Sequence, residues 1–97
     1  MANKFWERED FDIALFASVF NSVYALFYEC VNESDSKVFD AHRRDGDAML
    51  YDDNIKPLVK AFNTYRDDQL TSDREMAAFA VTYNMFWDWS KCKEDRV

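Results

Sequence analysis

A chain of 97 residues that is 48% hydrophobic, with seventeen aromatic side chains, can bury one core and is too apolar for intrinsic disorder. Its formal charge of −7 argues against ordinary nucleic-acid binding, which draws affinity from lysine and arginine on phosphates, and disfavours anionic membrane surfaces. One glycine and one proline are too few turn devices for a hairpin-rich β fold, so the expected class is all-α: a small bundle of about four helices, one domain over residues 1–97.

The chain opens "MANKFWERED", turning acidic where a secretory signal would place a positive region ahead of an apolar run. The expected compartment is therefore the cytoplasm, with Cys30 and Cys92 as reduced thiols in no metal-ligand motif. Charge is uneven: residues 1–35 carry −5, residues 36–70 carry −1 and residues 71–97 carry −1. Glu7, Glu9, Asp10 and Asp12 concentrate the excess.

The first helix is predicted from about Asp10 to about Asn32. Ile13, Phe16, Phe20, Val23, Phe27 and Val31 repeat at the three-to-four spacing of one helical face. Leu15, Val19 and Leu26 make its other side apolar too. Such a helix belongs in the centre of a bundle or in a subunit interface. Its uncharged run, Ile13 to Tyr28, is shorter than the roughly 20 residues of a membrane span.

"DSKVFDAHRRDGDAMLY" predicts a second helix with Asp35 or Ser36 as N-cap and with Val38, Phe39 and His42 on one side. Gly46 is either its stop or a point of close packing, since Met49 and Leu50 continue the period; a short strand over "AMLY" is a lesser alternative. The third helix is predicted from Asn54 to about Arg66, with Ile55, Leu58, Val59, Phe62 and Tyr65 as its stripe. Pro57 is confined to its first turn, where a missing N–H costs nothing. Ser72 and Glu75 have capping-box spacing and open a last helix that runs to about Lys91. Its main face is Met76, Phe79, Ala80, Tyr83, Phe86, Trp87 and Ser90, and a second apolar side holds Ala78, Val81, Met85 and Trp89. The acid-rich stretch "TYRDDQLTSDRE" between the third and last helices then reads mainly as punctuation, with Asp67 and Asp68 ending one helix and Ser72 starting the next.

The chemistry of catalysis is thinly represented. Asp52-Asp53 and Asp67-Asp68 offer paired carboxylates, but neighbours on one segment seldom converge on one cation, and no EF-hand spacing is present. His42 is the one histidine, and spacing assigns it no nucleophile. A single glycine cannot build a phosphate-cradling loop. Arg43 and Arg44 sit among Asp40, Asp45 and Asp47, which favours local ion pairs. No catalytic residue, metal or cofactor is expected.

The leading functional expectation is a non-enzymatic binding protein, an inhibitor whose acidic surface engages a basic face of another protein. A nucleic-acid-binding enzyme is one such target, blocked as a DNA mimic or phage counter-defence factor would block it. The residues expected to carry the contact are Glu7, Glu9, Asp10 and Asp12, the loop acids Asp52, Asp53, Asp67 and Asp68, and Trp89 as an aromatic anchor. The alternative is a helical homo-oligomer, at its simplest a homodimer, with a structural or small-ligand-binding role.

Overall fold

The computed structural model describes residues 4–29 and 33–95. A 3-10 turn, Phe5–Glu7, precedes four helices: α1 (Ile13–Tyr28), α2 (Glu33–Leu50), α3 (Lys56–Arg66) and α4 (Asp73–Asp95). No strand occurs among the described residues. Phe16, near the start of α1, packs on Phe86 late in α4, while the carbonyl of Phe27, near the end of α1, accepts from Arg74 at the start of α4. The two helices are therefore antiparallel. α3 lays Phe62 against Phe16, Phe20 and Phe79, closing an aromatic core with Phe5, Phe16, Phe62 and Phe79 fully buried.

Local chemistry sets the helix ends. The Asp12 carboxylate accepts from the Ala14 N–H at 2.9 Å and caps α1, so the helix starts there and not at Asp10. At the other end α1 has no basic residue in its last turn, and the Arg74 guanidinium supplies the positive charge that its terminal carbonyls favour. The expected continuation to Asn32 is not seen: α1 gives way at Glu29, and Val31 and Asn32 lie outside the described residues. α2 begins at Glu33, so Asp35 and Ser36 lie inside the helix and are not its N-cap.

Gly46 does not stop α2. The helix passes through it to Leu50, and the strand alternative over residues 48–51 is set aside. A β-carbon at this position would overlap the Met76 carbonyl of α4. Only glycine lets the two backbones approach so closely. The buried Ala77, Ala78 and Ala80 keep α4 slim over the same stretch.

α3 carries Pro57 in its first turn and ends in a complete Schellman arrangement. The Asp68 N–H reaches the Asn63 carbonyl and the Asp67 N–H reaches the Thr64 carbonyl, both at 3.2 Å. Asp67 adopts the left-handed conformation, φ 57°, that glycine usually fills. The capping box is then made as its spacing predicts. The Ser72 hydroxyl accepts from the Glu75 N–H at 3.1 Å, and Glu75 accepts in return from the N–H groups of Ser72 and Thr71 at 3.1 and 3.3 Å. Its other carboxylate oxygen pairs with Arg66.

Two side chains expected on inner faces point outward: Val38 is 55% exposed and Tyr65 is 54% exposed. Beside Tyr65 it is Arg66 that turns inward. It lies over the Phe20 and Phe62 rings at 5.3 and 5.4 Å and is held there by Glu75. Along α2 the inner positions include Phe39, His42, the buried Gly46, Met49 and Leu50.

Two measurements test these constraints. Gly46→Ala should lower stability by about 1–3 kcal/mol through overlap with α4, although the same change in an open helix raises it by about 1 kcal/mol; thermal unfolding followed by circular dichroism decides the sign. Burial alone would raise the Glu75 carboxyl, but Arg66 and the N–H groups of Ser72 and Thr71 outweigh it and hold the group below its ordinary value of 4.5. Its stabilisation is therefore fully present above that value and is lost as pH falls through the lower folded value. Glu75→Gln keeps the cap and removes the charge facing Arg66. It should cost about 1–3 kcal/mol near pH 7 and flatten the acid limb, which urea titrations at about pH 7 and about pH 3 would reveal.

Candidate functional site

The N-terminal acids stand on a fixed platform. Phe5 is fully buried, with its ring 5.3 Å from Tyr83 and 5.8 Å from Phe86 of α4. This anchor holds the 3-10 turn, and backbone hydrogen bonds from Glu7, Arg8 and Phe11 continue the tie up to the start of α1. Glu7 and Glu9 are exposed, and among the described residues their carboxylates have no hydrogen-bond or ion-pair partner. Asp10 differs: it pairs with Arg8 at 3.0 Å and with Lys93 at 3.9 Å. The Arg8 hydrogen bond is the main reason that its carboxyl lies below the usual range. Asp12 is engaged as the cap of α1.

Asp52 and Asp53 occupy the turn between α2 and α3. Asp52 accepts from the Asn54 N–H at 2.8 Å, and Asp53 pairs with Lys56 at 2.9 Å. Burial pushes the Tyr83 phenol up, and the Asp52 charge adds to that shift. Tyr83 also packs directly on Phe5 and Trp6, so one ring carries the N-terminal turn and feels the Asp52 charge.

Asp67 and Asp68 lie elsewhere. They precede the first turn of α4, whereas Asp10 meets its last turns at Lys93, a separation of roughly 30 Å along the helix. Asp68 also pairs with Arg66 at 3.3 Å and accepts from the Gln69 N–H at 2.7 Å. The fold thus sets the N-terminal cluster and the Asp67–Asp68 pair toward opposite ends of α4, while the Asp52 charge reaches Tyr83 midway between them.

Trp89 is half-buried. The Arg8 and Lys93 cations stand over its ring at 5.5 and 5.8 Å, and Phe86 packs beside it. Its free side borders an apolar groove between α1 and α4. One section, about 160 Å³, is lined by Leu15, Val19, Met85, Phe86 and Trp89. The next, about 510 Å³, runs between Val19, Leu26, Val81 and Met85. Trp87 is also half-buried, beneath Lys91.

The remaining candidates take structural places. His42 lies against the Phe27 ring with its Nδ1 unpaired, and Arg43 is 4.0 Å from Asp40. Cys92 is exposed as a free thiol, and Cys30 lies outside the described residues. Among the described residues no group of three or more His, Cys, Asp and Glu is placed to hold a metal ion, and no helix is long and apolar enough to cross a membrane.

Two features escaped the sequence reading: the burial of Phe5, which turns an acidic tail into a rigid edge, and the continuity of the α1/α4 groove. The "FW" pair inside the acidic stretch is the signal for the first, since adjacent large aromatics favour burial. Comparison with known proteins matches no family model, no curated protein and no solved structure.

Asp67 provides a test that separates folding from contact. A left-handed aspartate at the negative end of α3 is doubly disfavoured, by its conformation and by the helix dipole. Asp67→Gly should raise stability by about 1 kcal/mol, read from the urea midpoint at constant slope.

Proposed function

We propose that the protein is a non-enzymatic acidic binding protein that inhibits its target by engaging a basic surface. The contact is the edge formed by Glu7, Glu9, Asp10 and Asp12 with Asp52 and Asp53 beside them. The observation that carries this reading is the buried Phe5 anchor, which holds the Glu7 and Glu9 carboxylates ready on a fixed backbone. A preorganised charged edge loses little conformational entropy on binding, and its field steers a basic partner toward it. Nucleic-acid-binding enzymes present such basic surfaces. On one of them these carboxylates would stand in for phosphates, as in a DNA mimic or a phage counter-defence factor. Asp67 and Asp68, at the far end, serve α3 and α4 and are not part of this contact.

Immobilised protein should retain basic proteins from a cell lysate at about 0.1 M salt and release them toward about 1 M, as the Debye length shrinks from about 10 Å to about 3 Å. Glu7→Lys with Glu9→Lys should abolish capture and leave the melting temperature unchanged, while Asp68→Lys should leave capture intact. Added duplex DNA should compete if the retained protein uses its nucleic-acid site. Capture that is indifferent to both salt and the double reversal would reduce the acidity to a solubility feature.

A further inference from the structure

The groove between α1 and α4 is not used by the acidic edge. α1 carries two seams of identical spacing. Phe16, Phe20, Val23 and Phe27 are buried in the core at intervals of four, three and four residues. One residue earlier run Leu15, Val19, Ser22 and Leu26 at the same intervals, with Leu15 54% and Leu26 64% exposed. This is the interval at which one helix presents knobs to another. α4 completes the far wall with Val81, Met85 and Trp89, each one turn from the next.

Charge selects the occupant. α1 has no charged residue from Ile13 to Tyr28, and α4 has only Asp88 between Val81 and Trp89. A basic helix would find almost no carboxylate along the groove to recognise. A bilayer is opposed by the charge of −7 and by Asp12 and Glu29, which bracket α1. A second copy brings an equally uncharged ridge of matching period, with Leu15, Ser22 and Leu26 already exposed.

We propose that this groove is a two-fold interface between two copies of the chain, with the α1 helices antiparallel across the axis. An axis between Val19 and Ser22 sets Leu15 of one copy against Leu26 of the other. The positive end of each α1 then lies beside the negative end of its mate, which the helix dipoles favour. α1, at sixteen residues, is roughly 24 Å long, and two helices span roughly 20 Å. That footprint, roughly 1,000 Å² over both copies, lies below the standard size of about 1,200–2,000 Å², so a weak, concentration-dependent dimer is expected.

The salt response separates this proposal from the acidic-edge reading, on which it does not depend. Two chains of −7 repel each other, so added salt should strengthen the dimer, whereas it weakens capture of a basic partner. Sedimentation equilibrium from about 1 to about 200 μM, at about 0.05 and about 0.5 M salt, should show a monomer–dimer equilibrium that tightens at the higher salt. Leu15→Glu and Leu26→Glu, both at exposed positions, should each weaken it about tenfold or more with unchanged circular dichroism. Val38→Glu, exposed on α2, should leave it intact. A monomer throughout the range overturns the proposal. So does a dimer insensitive to both leucine variants, or a monomer whose groove takes only an added lysine-rich amphipathic peptide.

Discussion

The contact between the backbones of α2 and α4 at Gly46 fixes the rest of the arrangement. With no side-chain volume between them, these two helices form one tight pair, and α4 is thin there because alanines line it. The volume is made up on the other side of α4, where α1 and α3 stand off behind Phe16, Phe20, Phe62 and Phe79. The molecule is therefore asymmetric about its last helix, close-packed on backbone toward α2 and filled with rings toward α1 and α3. A bundle with equal spacing on both sides would need a different side-chain inventory.

Net charge overstates what the surface offers to a partner. Asp12, Asp52 and Asp68 accept backbone N–H groups near helix ends or turns, and Asp10, Asp53 and Glu75 face cations. These carboxylates shape the fold as much as its field. Glu7 and Glu9 stand apart because they project from a turn whose own hydrogen bonds are satisfied by backbone. An acidic composition built from caps and ion pairs differs physically from one built of free carboxylates, although the two sequences can carry the same formal charge.

What was legible in the sequence follows from the range over which each interaction acts. The Ser72–Glu75 box and the place of Pro57 depend on three or four neighbouring residues and could be read directly. Gly46 could not be decided, because its role is set by Met76, thirty residues away. Periodicity found the right helices but misjudged Val38 and Tyr65, since spacing gives the width of a face and not which of two adjacent residues turns inward. At Tyr65 the choice belongs to Arg66, whose partner Glu75 lies on another helix. The acidic clusters were visible as composition. Their placement was not, because it is set by distant contacts with α4: Asp10 meets Lys93, and the Asp52 charge reaches Tyr83.

Phe5 also bears on how the chain reaches its native state. Its ring closes on Tyr83 and Phe86, so a central part of the core joins residues about 80 positions apart. During synthesis that ring has no partner in α4 until the last helix emerges, an interval of roughly 5–20 s at ordinary elongation rates. Local helices can form earlier, but the contacts that bury the N-terminal turn span about 80 residues and so close a large loop. Burial of the N-terminal turn must therefore wait for α4, and until then Phe5 and Trp6 lack the Tyr83 and Phe86 rings that cover them.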